Sequence, residues 1–85
     1  MKHVQEFCKE FRSTYLKLTL EDVHNKFGIN IKTLSSFENG RSTNINHLNT
    51  YYLLCENQEQ RSFFIRGFDK AMNKDNLTKV KQNDE

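Results

Sequence analysis

Residues 18–41 read Leu18-Thr19-Leu20-Glu21-Asp22-Val23-His24-Asn25-Lys26-Phe27-Gly28-Ile29-Asn30-Ile31-Lys32-Thr33-Leu34-Ser35-Ser36-Phe37-Glu38-Asn39-Gly40-Arg41, and this stretch decides the fold. Thr19 can cap a helix N-terminus with its hydroxyl, and Asp22 three positions later completes a variant capping box. Leu20, Val23 and Phe27 then supply one inward helical face. Gly28 can take the left-handed conformation that ends a helix, and Ile29 can plug the corner. Asn30 is a good N-cap for a next helix whose inward side is Leu34 and Phe37. Asn39-Gly40 repeats the stop signal. The pattern predicts two short helices joined by a tight turn.

Toward the N-terminus, Val4, Phe7, Cys8, Phe11 and Tyr15 fall at helical spacing, with Glu6, Lys9, Glu10 and Arg12 facing away, which predicts a first amphipathic helix. Toward the C-terminus, Ser42-Thr43-Asn44 offers caps for a fourth helix carrying Ile45, Leu48, Tyr51, Tyr52 and Cys55. Asn57 followed by Gln60 resembles a capping box opening a fifth helix, where Phe64, Gly67, Phe68, Ala71 and Met72 repeat at helical spacing. The expectation is an all-α chain of five helices between residues 3 and 73. Residues 1–73 form the domain, and residues 74–85, with little apolar content, form a polar tail expected to be disordered.

Eighty-five residues, 35% of them apolar, bound the chain to one domain. A chain this short buries roughly 60 to 65% of its unfolded surface and leaves little volume for an enclosed substrate cavity. Ten aromatic rings exceed what a disordered chain carries. The longest apolar run, Tyr51 to Cys55, is far short of a bilayer span, and residues 1–6 lack a signal peptide's apolar stretch, so a cytoplasmic protein is expected. Cys8 and Cys55 lie in apolar-periodic stretches and read as buried thiols. His3, His24 and His47 are scattered, and neither a nucleotide loop nor a nucleophile elbow is present, so no catalysis, metal or cofactor is expected. A formal charge of +2 permits nucleic-acid binding without arguing for it.

Gly28-Ile29-Asn30, Thr33-Leu34 and Glu38-Asn39-Gly40-Arg41 carry a resemblance in type and spacing. Together they resemble the Cro and lambda-repressor-like (XRE-family) helix-turn-helix domain, over about residues 5 to 68. The resemblance implies a sequence-specific DNA-binding transcriptional regulator whose second helix crosses the phosphate backbone while the third lies in the major groove. The outward face of helix three would then be Ile31, Lys32, Ser35, Ser36 and Asn39. Lys32 suits guanine O6 and N7, Ile31 a thymine methyl, and Ser35 and Ser36 either donors or acceptors. Asn30 belongs to the same helix start and is chiefly a cap. Arg41, Ser42 and Thr43 would approach phosphates, as would Thr19 or its amide. Glu38 reads as structural, because a carboxylate at a phosphate surface repels it.

Three features depart from the family pattern. His24 stands where a small residue is usual, so either the packing of helices two and three is looser or its ring is rotated outward. Leu20 replaces a polar residue, and the loop from Gly40 to Ile45 is about one residue short. Ten asparagines and many lysines fit an AT-rich genome, and the small size suits a repressor of a phage or mobile element. One recognition helix reads too few base pairs to select a genomic site, which favours a homodimer, with Phe63, Phe68 and Met72 of helix five as the surplus apolar surface. The rival reading is a helix-turn-helix fold used as a protein–protein interaction module acting on a host regulator or polymerase. Low net charge and the apolar Leu20 and Ile31 on the presumptive DNA side favour that rival.

Overall fold

The computed structural model describes residues 2–44 and 46–83, with side chains through Asp75. Among these the protein is all-helical, with no strand. Five helices follow in order: α1 (Lys2–Glu10, extended by a π-helical turn, Phe11–Tyr15), α2 (Leu20–Phe27), α3 (Ile31–Glu38), α4 (Asn46–Leu53) and α5 (Gln58–Asn83). Ile45, expected to open the inward face of helix four, lies outside the described residues. So do 84 and 85 at the end of the expected tail. α5 continues past residue 73, and Asp75 is tied back to α1, so the domain's contacts reach two residues beyond the expected boundary.

The helix starts follow from side-chain chemistry. Thr19 Oγ1 accepts from the Asp22 amide at 3.0 Å while Asp22 Oδ2 accepts from the Thr19 amide at 2.8 Å, so two of the amides that α2 leaves unbonded are satisfied. Asn30 Oδ1 accepts from Lys32 at 2.8 Å and Thr33 at 3.4 Å and caps α3. Asn57 Oδ1 accepts from the Gln60 amide at 2.8 Å, but Gln60 Oε1 accepts from Glu56 rather than from Asn57, one residue earlier than a capping box requires. Gly28, at φ 75°, ends α2 in the left-handed region, where an L side chain is strained.

α1 is wedged between α5 on one side and α3 on the other. On the α5 side Phe7, Phe11 and Phe64 form an aromatic core, with Phe11 and Phe64 centroids 4.9 Å apart. Gly67 allows the two helices to approach: a Cβ there would stand 2.2 Å from the Phe7 ring. Leu34, Phe37 and Tyr51 are fully buried and join α3 to α4, and Leu48 packs half-buried against them. Phe68 and Met72, expected as surplus, are half-buried against this core.

The α3 side of α1 departs from expectation. Arg12, assigned to the outward face, is buried, and so is Gln5 about two turns earlier. Gln5 and Arg12 are seven residues apart, so regular helical geometry puts them on one stripe beside Cys8, and that stripe packs against α3; a π-helical turn, in which the Leu16 amide donates to Phe11 O at 2.8 Å, then closes the helix. Its guanidinium meets Glu38 with two parallel bonds, Nε to Oε2 at 2.8 Å and Nη2 to Oε1 at 2.9 Å, and Nη1 donates to Leu18 O at 2.6 Å. Tyr51 donates its hydroxyl to Glu38 Oε2 at 2.7 Å. Among the described residues no buried side-chain polar atom lacks a partner.

Candidate nucleic-acid interface

Each residue of α3 advances the helix by about 100°. With Leu34, Phe37 and Glu38 pointing inward, the opposite side is centred on Lys32, Ser36 and Asn39. Lys32 and Asn39 are exposed there, and Ile31, 39% exposed, lies on one flank beside Ser35. Ser35 and Ser36 are half-buried, which narrows what they offer: Ser35 Oγ accepts from Asn39 Nδ2 at 3.3 Å, and the Ser36 carbonyl accepts the amides of Arg41 and Ser42. Thr33, not among the expected readers, is exposed on the other flank. It follows from the 100° step once the inward side is centred between Leu34 and Phe37.

This face of α3 carries no carboxylate, because the only acid on the helix, Glu38, is turned inward onto Arg12 and Tyr51. Burial, then the hydrogen bond to Glu38 and that group's charge, push the Tyr51 phenol well above its ordinary value. Burial also raises the neighbouring Cys8 thiol, to about 12, with Glu38's charge as the second cause. The network thus keeps a negative group off the outer face and joins α3 to α1 and α4 at one point.

Beyond α3, Arg41 and Thr43 are exposed, while Ser42 is half-buried and its hydroxyl accepts from the Asn44 amide at 3.4 Å. Gln5 Nε2 donates to the Ser42 carbonyl and fastens this loop to α1. Neither Gln5 nor Arg12 figures among the residues picked from sequence. The available signal was polar residues seven apart, each one position after an apolar one, on a helix flanked by partners on two sides.

At the start of α2 the Thr19 amide is engaged by Asp22, so the amide expected to meet a phosphate is not a free donor, and Glu21 and Asp22 place two exposed carboxylates beside it. Of the two readings of His24, the ring rotated outward is the one found: it is exposed, and Nδ1 donates to Ile29 O at 2.7 Å, bracing the turn between α2 and α3. Leu20 is half-buried against the core. No helix is long and apolar enough to cross a membrane among the described residues. No protein-family model, curated protein or solved structure matches the chain.

Proposed function

We propose that the chain is a sequence-specific DNA-binding transcriptional regulator of the Cro and lambda-repressor-like kind, a small cytoplasmic repressor of the phage or mobile-element type that reads the major groove with α3. The observation that carries this reading is the outer face of α3: polar and exposed around Lys32 and Asn39, free of carboxylates, and followed by Arg41. A helix of eight residues held at both ends by caps and seated on a core through Leu34 and Phe37 is a rigid mount for such a face. Base edges in the major groove are read by donors and acceptors of this type, and Ile31 supplies an apolar contact for a thymine methyl.

Selection of bound duplexes from a random pool tests it. Lys32→Ala should alter the preferred bases and cost about 1 to 3 kcal/mol on the best site. Arg41→Ala should weaken all sequences alike and reduce the salt exponent by about one. Equal affinity of the wild type and the double variant would overturn the reading. The exposed Ile31 also favours a second one, in which the same face binds a protein. Capture of a partner that is insensitive to salt, without retention on DNA at low salt, would select it.

The reading includes a two-fold homodimer through α5. Phe63 is 37% exposed and stacks on Tyr15, itself 38% exposed, with centroids 4.1 Å apart. Phe63 also lines a groove of about 820 Å³ between α1 and α5, with Glu10 on one wall and Arg66 on the other. Two copies related by an axis along that groove would set the acid of each against the base of the other and cover both aromatic pairs.

A further inference from the structure

A second cleft, of about 550 Å³, opens between α1 and the loop after α3. Lys2, Glu6 and Lys9 line its α1 side, and Asn39, Gly40 and Thr43 the other. Asn39 and Thr43 also belong to the proposed DNA-facing surface, so the cleft is continuous with it. Its relation to α3 is fixed from below, since Gln5 fastens the loop to α1 and Arg12 fastens α1 to Glu38.

We infer that this cleft is a backbone-phosphate site, in which Lys2 and Lys9 hold the DNA strand that borders the groove read by α3. The inference rests on the DNA-binding reading above. Both lysines are exposed, and neither forms an ion pair among the described residues. Glu38 reaches the cleft floor but its carboxylate is already neutralised by Arg12 and bonded by Tyr51. The first amides of α1 contribute nothing, because those of His3 and Val4 donate to Asp75. The site therefore offers cations at a spacing. Seven residues of helix place Lys2 and Lys9 about 10 Å apart along α1. That separation is more than one small anion bridges, so a polyanion can engage both lysines where a single small anion engages one. Glu6 stands between them and opposes the contact, which gives the site a second handle of opposite sign.

The test is binding to a duplex carrying one selected half-site, measured from 50 to 200 mM salt. Lys2→Ala and Lys9→Ala should each lower affinity at low salt and reduce the salt exponent by about 0.9, so that each variant loses roughly 3.5-fold less affinity over that fourfold range than the wild type does. The preferred bases should not change. Glu6→Gln should tighten binding to all sequences. If the wild type binds and Arg41→Ala flattens the salt dependence while Lys2→Ala, Lys9→Ala and Glu6→Gln leave it unaltered, the cleft is not a phosphate site although the DNA reading stands. If the wild type binds no DNA even at the lowest salt, both fall together.

Discussion

Arg12 and Glu38 are the residues on which the architecture most depends. A buried ion pair adds little net stability against an apolar replacement of the whole pair, but losing one partner strands the other's charge. Arg12→Leu should therefore cost about 3 to 5 kcal/mol, against the roughly 5 to 15 that a native domain has in total. Joint replacement, Arg12→Met with Glu38→Leu, should recover much of that loss, as urea denaturation will measure. The pairing was half legible. Glu38 reads as structural from charge alone, whereas Arg12, a charged residue on an amphipathic helix, reads as solvent-facing. It is buried because α1 packs against α3 as well as α5, and the helix's apolar stripe does not announce that second partner.

Gly67 makes a second prediction at this scale. Alanine is the better helix former by about 1 kcal/mol, so on propensity alone Gly67→Ala should stabilise α5. The added methyl would overlap the Phe7 ring, which packs against Phe11 and Phe64, so relieving the clash means pulling the ring off those partners toward the groove. Overpacking of that kind costs about 1 to 3 kcal/mol, and the net effect should be a lowered Tm. Combining Gly67→Ala with Phe7→Ala should be markedly less than additive, because the second change removes the clash.

Among the elements, α2 and α3 were the most legible, since their limits are written in single residues: Thr19 with Asp22, Gly28, Asn30 and Asn39-Gly40 all act where the sequence places them. These signals are local, and local chemistry decides helix ends. Contacts between distant elements left no such trace. The start of α1 has no acidic residue of its own in the first turn, and its cap comes from α5: Asp75 accepts from the amides of His3 at 3.1 Å and Val4 at 3.3 Å, and from His3 Nδ1 at 2.8 Å. Desolvation works against that carboxylate, but the bonds from the His3 ring and the two amides outweigh it and hold Asp75 below the ordinary aspartate range. A group depressed in the folded state adds stability that is complete above its unfolded value and fades as the pH falls through the folded one. Stability should accordingly drop below about pH 4, and the part of the drop due to this contact should be missing in Asp75→Asn. Thermal melts of both proteins between pH 2.5 and 6 will decide it.

For the molecule as a whole, the outward residues of α3 are legible in the sequence, whereas the packing around them is not. The resemblance puts the proposed reading face on α3, but it does not reveal that Ser35 and Ser36 are half-buried, that the Thr19 amide is occupied, or that Lys2 and Lys9 border the same surface, because each depends on how α1 and the loops pack. The apolar surplus was likewise misjudged, since Phe68 and Met72 pack into the core while Tyr15 joins Phe63 outside it. The proposed dimer is checked by sedimentation equilibrium at micromolar concentration. The wild type should associate, Phe63→Asp should not, and a monomer under all conditions would remove the two-fold arrangement from the proposal. Arg66→Glu should dissociate the dimer and Glu10→Arg in the same chain should restore it.

The contact between Asp75 and the start of α1 joins residues 72 positions apart in the chain. Contacts so distant in sequence carry a large loop-closure entropy and form late, whereas α2, its turn and α3 can assemble from neighbours. During synthesis, at roughly 5 to 20 residues per second, α2, its turn and α3 are complete roughly 2 to 7 seconds before the cap of α1 exists. A nascent chain therefore passes through an interval in which α1 frays at its first turn. The clasp formed last acts mainly on escape from the native state, so Asp75→Asn should speed unfolding while leaving the refolding rate nearly unaltered.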